Sequence, residues 1–183
     1  MDFLDFEGQE LYFDTPLSEE VATLLKRAAD IYPAAECEAI LMRGYFLEPE
    51  HLTVLVALYR YYYYQHRYDD ALVVSERALK AAGRLLDFRV DWPDLRLSEV
   101  GNGVMVSMGL LRFYLLALKA SGYLLLRIGN FEEAARRLDK LAELDTNDQF
   151  SSGYLRNMAH QGLKGSTGQD AESSETNMAS ASH

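Results

Sequence analysis

The chain has 183 residues, of which 49% are hydrophobic, and a formal net charge of −10, which predicts one domain or a short repeat array with a real core. Residues 1–20 contain seven acidic residues and residues 165–183 contain three, with no Lys or Arg in either range, so the two ends carry the whole net charge. This distribution argues against binding to nucleic acid or to an anionic membrane surface, because both require a basic surface on the protein.

Residues 1–17 are predicted to form an acidic and aromatic N-terminal arm. Apolar and acidic side chains alternate along this arm. The apolar ones are Phe3, Leu4, Phe6, Leu11, Tyr12 and Phe13. Because apolar side chains are driven out of water, we expect the arm to dock in a groove of its own chain, or of a second copy in a homodimer. The alternative is that the arm covers the open apolar face of the first helices.

Two helix pairs, at about residues 18–51 and 52–85, are predicted after the arm. In the first pair the helical spacing groups Val21, Leu24, Leu25 and Ala28 on one face, and in the second it groups Leu55, Leu58, Tyr59 and Tyr62. Tyr59 and Tyr62 are therefore expected in the core, packed against the helix that contains Ala71. Tyr61 is left undecided by the pattern.

Residues 86–114 are predicted as an insertion before the next pair. The stretch DFRVDWPDLRLSEVGNG has turn signals at Pro93 and at Gly101 to Gly103, which indicate a loop. The following VMVSMGLLRFYLL is expected to extend the next helix towards its N-terminus. A loop of this length is either functional or an insertion tolerated at a junction between repeats.

A third helix pair at about 115–148, a capping helix at 149–164 and a disordered acidic tail at 165–183 complete the predicted elements. The segment IGNFEEAARRLDKLAELDTND places a turn at Gly129 and Asn130 before an amphipathic helix. The tail is rich in Ser, Gly, Thr and acidic residues, a composition that cannot bury a core.

The third pair resembles a tetratricopeptide repeat (TPR). Phe131, Ala134 and Leu138 follow the spacing of the second helix of that repeat, and the small residue Gly122 suits a close approach of its first helix. Tyr68 and Ala71 take the corresponding positions in the second pair, and Cys37 lies about one family period of 34 residues before Ala71. The resemblance implies an all-α fold of three TPR-like units, with an insertion before the third unit and a C-terminal cap.

The same resemblance implies a concave groove lined by the first helix of each unit. Carried over by matched spacing, the partner-binding residues are Val56, Arg60, Tyr63 and Tyr64 in the second unit and Lys119, Tyr123, Leu126 and Arg127 in the third. Tyr and Arg are enriched at binding hot spots. The alternative is that Tyr63 and Tyr64 pack against the insertion or against the next repeat.

The resemblance implies a non-enzymatic module that binds another protein or a peptide segment, as a chaperone, adaptor or assembly factor. In size, acidity and repeat count the chain is similar to the small acidic TPR chaperones of bacterial type III secretion. The alternative function is a regulatory or structural subunit whose tyrosine-rich face is buried in a permanent oligomer.

Sequence motifs for catalysis, metals or cofactors are absent. The histidines do not form a zinc-binding helical pair, and there is no Walker motif and no nucleophile elbow. Cys37, the lone cysteine, excludes an intramolecular disulfide and is expected to be a buried structural thiol. With neither a signal peptide nor an apolar run of ~18 residues, the chain is expected to be cytoplasmic, with no membrane partner.

Overall fold

The computed structural model describes residues 15–165, and within that range all regular secondary structure is helical, which confirms the all-α prediction. The α-helices are α1 (Glu19–Ile31), α2 (Glu36–Leu47), α3 (Leu52–Tyr64), α4 (Tyr68–Leu85), α5 (Leu97–Val106), α6 (Met108–Arg127), α7 (Phe131–Leu144) and α8 (residues 153–165), and a short 3-10 turn spans Trp92–Asp94. The expected arm and tail lie outside the described residues, apart from residues 15–17 and 165.

The helices pack mainly against their neighbours along the chain. Extensive contacts join α1 to α2, α3 to α4 and α6 to α7, and α4 also packs along α6. One buried apolar cluster runs from Ala28 in α1 to Phe150 after α7, and a second joins α6, α7 and α8 around Leu138. In this order of contacts, α3 packs between α2 and α4.

Local side chains set the starts of the helices. The Ser18 hydroxyl accepts a hydrogen bond from the Val21 amide at 3.4 Å, and the Asn130 side chain accepts one from the Glu133 amide at 3.2 Å. Such caps satisfy backbone N–H groups that have no partner inside the helix. The Ser18 cap fixes the start of α1, and the Asn130 cap fixes the start of α7.

The inserted segment differs from the predicted loop, because residues Leu97–Val106 form α5. Gly103 has a packing role in this helix, since a Cβ atom there would lie 3.1 Å from the Phe88 ring. Ser107 has extended backbone angles (φ −162°, ψ 115°), ends α5 and caps α6 by accepting a hydrogen bond from the Leu110 amide at 3.3 Å. The predicted N-terminal extension of the next helix is therefore shorter than expected and begins at Met108.

Helix α6 forms the centre of the fold, in contact with α4, α5 and α7. Among the described residues it is the one helix long and apolar enough to cross a membrane, with a mean hydropathy of 1.3, but 72% of that window is buried inside the protein. Its Gly122 lies against α7, where an added Cβ would be 2.9 Å from Leu138 Cγ. This contact confirms the close approach expected at Gly122.

Candidate functional site

The tyrosine run of α3 divides between the core and the surface. Tyr59, Tyr61 and Tyr62 are buried, which confirms the expectation for Tyr59 and Tyr62 and decides the position of Tyr61. Tyr63 is half-buried, and Tyr64 is 42% exposed. The last turn of α3 therefore presents two aromatic rings at the surface.

Tyr63 is the centre of a cluster of aromatic rings that joins three helices. Its ring centroid lies 5.6 Å from that of Tyr64, 6.2 Å from that of Tyr68 in α4 and 6.2 Å from that of Tyr123 in α6. Beneath it, the Tyr59 ring is stacked at 5.9 Å. Aromatic pairs at these distances contribute about 0.5–1.5 kcal/mol each beyond their buried area, so Tyr63 is held in a fixed orientation.

Arg127 completes this cluster, which we call the tyrosine cluster (Tyr63, Tyr64, Tyr68, Tyr123 and Arg127). The Arg127 guanidinium carbon lies 4.4 Å from the Tyr68 ring centroid, and Nη1 donates a hydrogen bond to the Tyr123 hydroxyl at 2.9 Å. That hydrogen bond raises the pKa of Arg127. Because a guanidinium has five N–H donors, Arg127 keeps donors for a ligand while its position is fixed.

A largely apolar cavity of about 330 Å³ lies beside the tyrosine cluster, between α1 and α3. We call it the α1–α3 cleft, and it is lined by Leu25, Ala28, Ala29, Tyr32, Cys37, Leu41, Ala57, Arg60, Tyr61 and Tyr64. In its floor the Cys37 thiol donates a hydrogen bond to the Ala28 carbonyl at 3.4 Å, and burial raises the pKa of that thiol. Cys37 is therefore a neutral, buried thiol, as the sequence predicts.

Tyr64 belongs to both the cleft and the cluster, so the two form one continuous surface, here called the tyrosine groove. Arg60 lies at the cleft end of this groove, is exposed and makes no ion pair with any residue from 15 to 165. Arg127 lies at the cluster end. The groove therefore combines apolar area, aromatic rings and two exposed cations, which suits non-covalent recognition of a segment that carries negative charge.

Three of the predicted partner-binding residues do not reach this groove. Lys119 is only 5% exposed, and its Nζ donates a hydrogen bond to the Phe150 carbonyl. Val56 is buried in the main core, and Leu126 is half-buried against the apolar cluster that joins α6, α7 and α8. The physical reason for Lys119 is that the segment between α7 and α8 covers this face of α6, which the repeat spacing alone assigns to the groove.

The other five predicted residues do come together, since Arg60, Tyr63, Tyr64, Tyr123 and Arg127 all line the groove. Two contributors are not predicted by the sequence analysis. Tyr68 is given there only a repeat position in the second pair, and Tyr32 is not considered. A signal for Tyr32 exists, because Leu25, Ala28, Ala29 and Tyr32 follow the spacing of one helix face.

Across residues 15–165, no three His, Cys, Asp or Glu side chains come together in a way that could hold a metal ion. The absence of a metal, cofactor or catalytic role stays a prediction of the sequence. The described side chains of the groove can bury apolar side chains of a ligand, stack on its rings and donate charge-assisted hydrogen bonds to it.

Comparison with known proteins identifies a relative that matches most of the chain. No protein-family model and no solved structure matches the chain. The protein named "Uncharacterized 19.8 kDa protein in nifW 5'region" of Azotobacter chroococcum mcd 1 is 44% identical over 155 residues, which cover 85% of this chain and 86% of that protein. The chain therefore belongs to the same family as this A. chroococcum protein.

Proposed function

We propose that this protein is a non-enzymatic protein-binding module whose helix pairs form a TPR-like repeat array. The packing of α1 on α2, α3 on α4 and α6 on α7 supports a repeat arrangement, and so does the contact of Gly122 with Leu138. Stacked helix pairs of this kind create concave binding surfaces. The first helices of the three pairs, α1, α3 and α6, are the ones that contribute most of the tyrosine groove.

The observation that carries the proposal is the continuity of the groove through Tyr64. An apolar cleft and an aromatic cluster meet at this exposed side chain, and each has one exposed arginine, Arg60 or Arg127. Tyr and Arg dominate binding hot spots because they combine large contact area with specific hydrogen bonds. The rings of the cluster are already packed on one another, so binding orders few additional side chains.

The groove suits a partner segment in which an apolar side chain lies next to a carboxylate. The apolar side chain enters the α1–α3 cleft, and the carboxylate accepts charge-assisted hydrogen bonds from Arg60 or Arg127. A chaperone, adaptor or assembly factor would hold such a segment reversibly. The A. chroococcum relative is named for its place 5′ of nifW. The nifW product of A. chroococcum is therefore a first protein to test as a binding partner.

The experiment compares single substitutions in the groove with matched substitutions outside it. Wild type, Arg60→Glu, Tyr64→Ala and Arg127→Glu are used as bait in native lysate, and each partner found is purified and titrated by calorimetry. The controls are Tyr154→Ala, whose side chain is 74% exposed in α8, and Arg89→Glu, an exposed arginine of the insertion. We expect each groove variant to weaken binding about tenfold or more, equivalent to ~1.4 kcal/mol, and the controls to bind as wild type.

Equal binding by wild type and all three groove variants, with unchanged helical circular dichroism, would contradict the proposal. Light scattering during gel filtration distinguishes the alternative of a regulatory or structural subunit. In that case wild type is a stable oligomer, the groove variants dissociate, and no exchangeable partner is captured.

A further inference from the structure

A second apolar surface lies away from the tyrosine groove, at the corner between α5 and α6. Its members are large apolar side chains that are exposed to solvent, and we call them the corner patch: Leu85, Val104, Met105, Val106 and Met108. Met105 is 86% exposed, the largest value among the exposed apolar residues described. Contiguous apolar surface of this kind is uncommon unless another chain segment or a partner covers it.

A cavity of about 630 Å³ opens beside the corner patch. Its apolar lining includes Leu52, Ala81, Leu85, Val106 and Leu110, from the ends of α3, α4, α5 and α6. This volume falls within the ~300–1,000 Å³ typical of pockets that enclose small organic molecules. The cavity can therefore accept large apolar or aromatic side chains.

Thr15, the first described residue, lines the same cavity. Its carbonyl oxygen is 2.9 Å from Nε2 of His51, which caps α3 through its other ring nitrogen. This contact fixes the position of Thr15 beside the start of α3. Residues 11–13 lie two to four positions before Thr15, so their Cα atoms are at most about 7–14 Å from it.

The tyrosine groove is much farther from this point of attachment. His51 lies just before α3, and Tyr64 is the last residue of α3. The 13 residues of this helix span about 20 Å, which separates Tyr64 from His51. Residues 11–13 therefore reach the corner cavity more easily than the tyrosine groove. For residues 11–13, this geometry favours the corner cavity over the groove considered in the sequence analysis.

The apolar composition of the segment also suits this cavity. Leu11, Tyr12 and Phe13 are consecutive apolar residues, flanked by the acidic Glu10 and Asp14. The acidic Glu48 and Glu50 line the cavity beside Arg84, and Arg84 already pairs with Glu50. Apolar contact, and not charge, therefore favours this occupant.

We propose that residues Leu11 to Phe13 occupy the cavity at the α5–α6 corner of their own chain, and that the arm covers the corner patch. The tyrosine groove is then not the docking place of Leu11 to Phe13. This inference concerns a different surface from the proposed function and does not depend on it.

Disulfide trapping in the full chain tests the proposal. Phe13→Cys is combined in turn with Val106→Cys in the cavity, with Tyr64→Cys in the groove and with Val73→Cys, an exposed position of α4. The native Cys37 stays in place because its thiol is buried. We expect the intramolecular disulfide of the 13/106 pair to form at least about tenfold faster than that of the 13/73 pair, since a disulfide requires Cα atoms within ~7 Å.

Three outcomes would overturn the proposal. They are a 13/106 rate no higher than the 13/73 rate, fastest trapping of the 13/64 pair, and mainly intermolecular disulfides, which would place a second copy on the patch.

An independent measurement uses a fluorescent dye that binds apolar surface. Deletion of residues 1–14 should raise dye fluorescence several-fold, and Met105→Glu with Val106→Glu in the deleted chain should remove the increase. Unchanged fluorescence after the deletion would also refute the docking.

Discussion

Replacing Gly122 with alanine tests the packing of α6 on α7 through two opposed energy terms. Alanine in a helix interior is more stable than glycine by about 0.5–1 kcal/mol. Against this gain, the new Cβ would lie 2.9 Å from Cγ and 3.0 Å from Cδ2 of Leu138, a side chain with no exposed area. Leu138 cannot rotate into solvent, so relief requires the helices to separate, and such overpacking costs about 1–3 kcal/mol.

We therefore expect Gly122→Ala to lower the free energy of unfolding by about 1–2 kcal/mol. For a chain of this size, the loss corresponds to a fall in melting temperature of roughly 2–8 °C. Urea and thermal unfolding followed by circular dichroism at the helical band measure both quantities. The matched control is Gly109→Ala in the same helix, where no heavy atom lies within 4 Å of the added Cβ, so that stability stays equal or rises by up to ~1 kcal/mol.

A double-mutant cycle identifies the contact responsible. In a Leu138→Ala background the atoms that meet the new Cβ are gone, and Gly122→Ala should then be neutral or stabilising. If Gly122→Ala stabilises the wild-type chain as much as Gly109→Ala does, α6 and α7 do not approach as closely as described. The reasoning about helix pairing would then be wrong.

Three further predictions concern titration and charge. Burial and the nearby Glu38 carboxylate raise the pKa of Tyr62 to about 12. Because the pKa is raised in the folded state, Tyr62 contributes its full stabilisation of the fold below pH ~10 and loses it as the pH rises towards 12. In urea unfolding, Tyr62→Phe should therefore flatten the decline of stability over this pH range. Hydrogen bonds from Ser18 lower the pKa of Glu48 from its ordinary 4.5. Glu48→Gln should thus be less stable than wild type at pH 7, and the difference should vanish as the pH falls below 4.5 through the lowered pKa. Arg67 pairs with Glu38 and Asp70 and covers the Tyr62 ring, so Arg67→Met should cost about 1–2 kcal/mol, less in high salt.

The positions of Tyr59 and Tyr62 are predictable from sequence because they depend on the helical period alone. Residues three and four apart share a face, and both side chains are buried as expected. Lys119 is different, since the group that covers it is the Phe150 carbonyl, 31 positions later in the chain. No local pattern contains that contact, so spacing alone places Lys119 on an open surface.

Helix α5 illustrates competition between local signals. Gly101 and Gly103 indicate a turn, but isolated glycines cost a helix only about 1 kcal/mol each. The opposing signals are polar groups at the two ends: Glu99 accepts a hydrogen bond from the Arg96 amide at 2.9 Å, and Ser107 ends the helix. The tight packing of Gly103 against Phe88 then favours a small residue inside the helix, a reason for glycine that the sequence does not reveal.

The order of helix contacts also shapes how the chain folds and opens. Most contacts join helices that are close in sequence, and chains with such local contacts fold fast because little loop entropy is lost before contacts form. The α1–α2 pair joins the rest chiefly through α2 and α3, a less extensive contact than those within the pairs. This pair is therefore a cooperative unit that opens at a lower free energy than the whole chain, and each opening separates the two walls of the α1–α3 cleft.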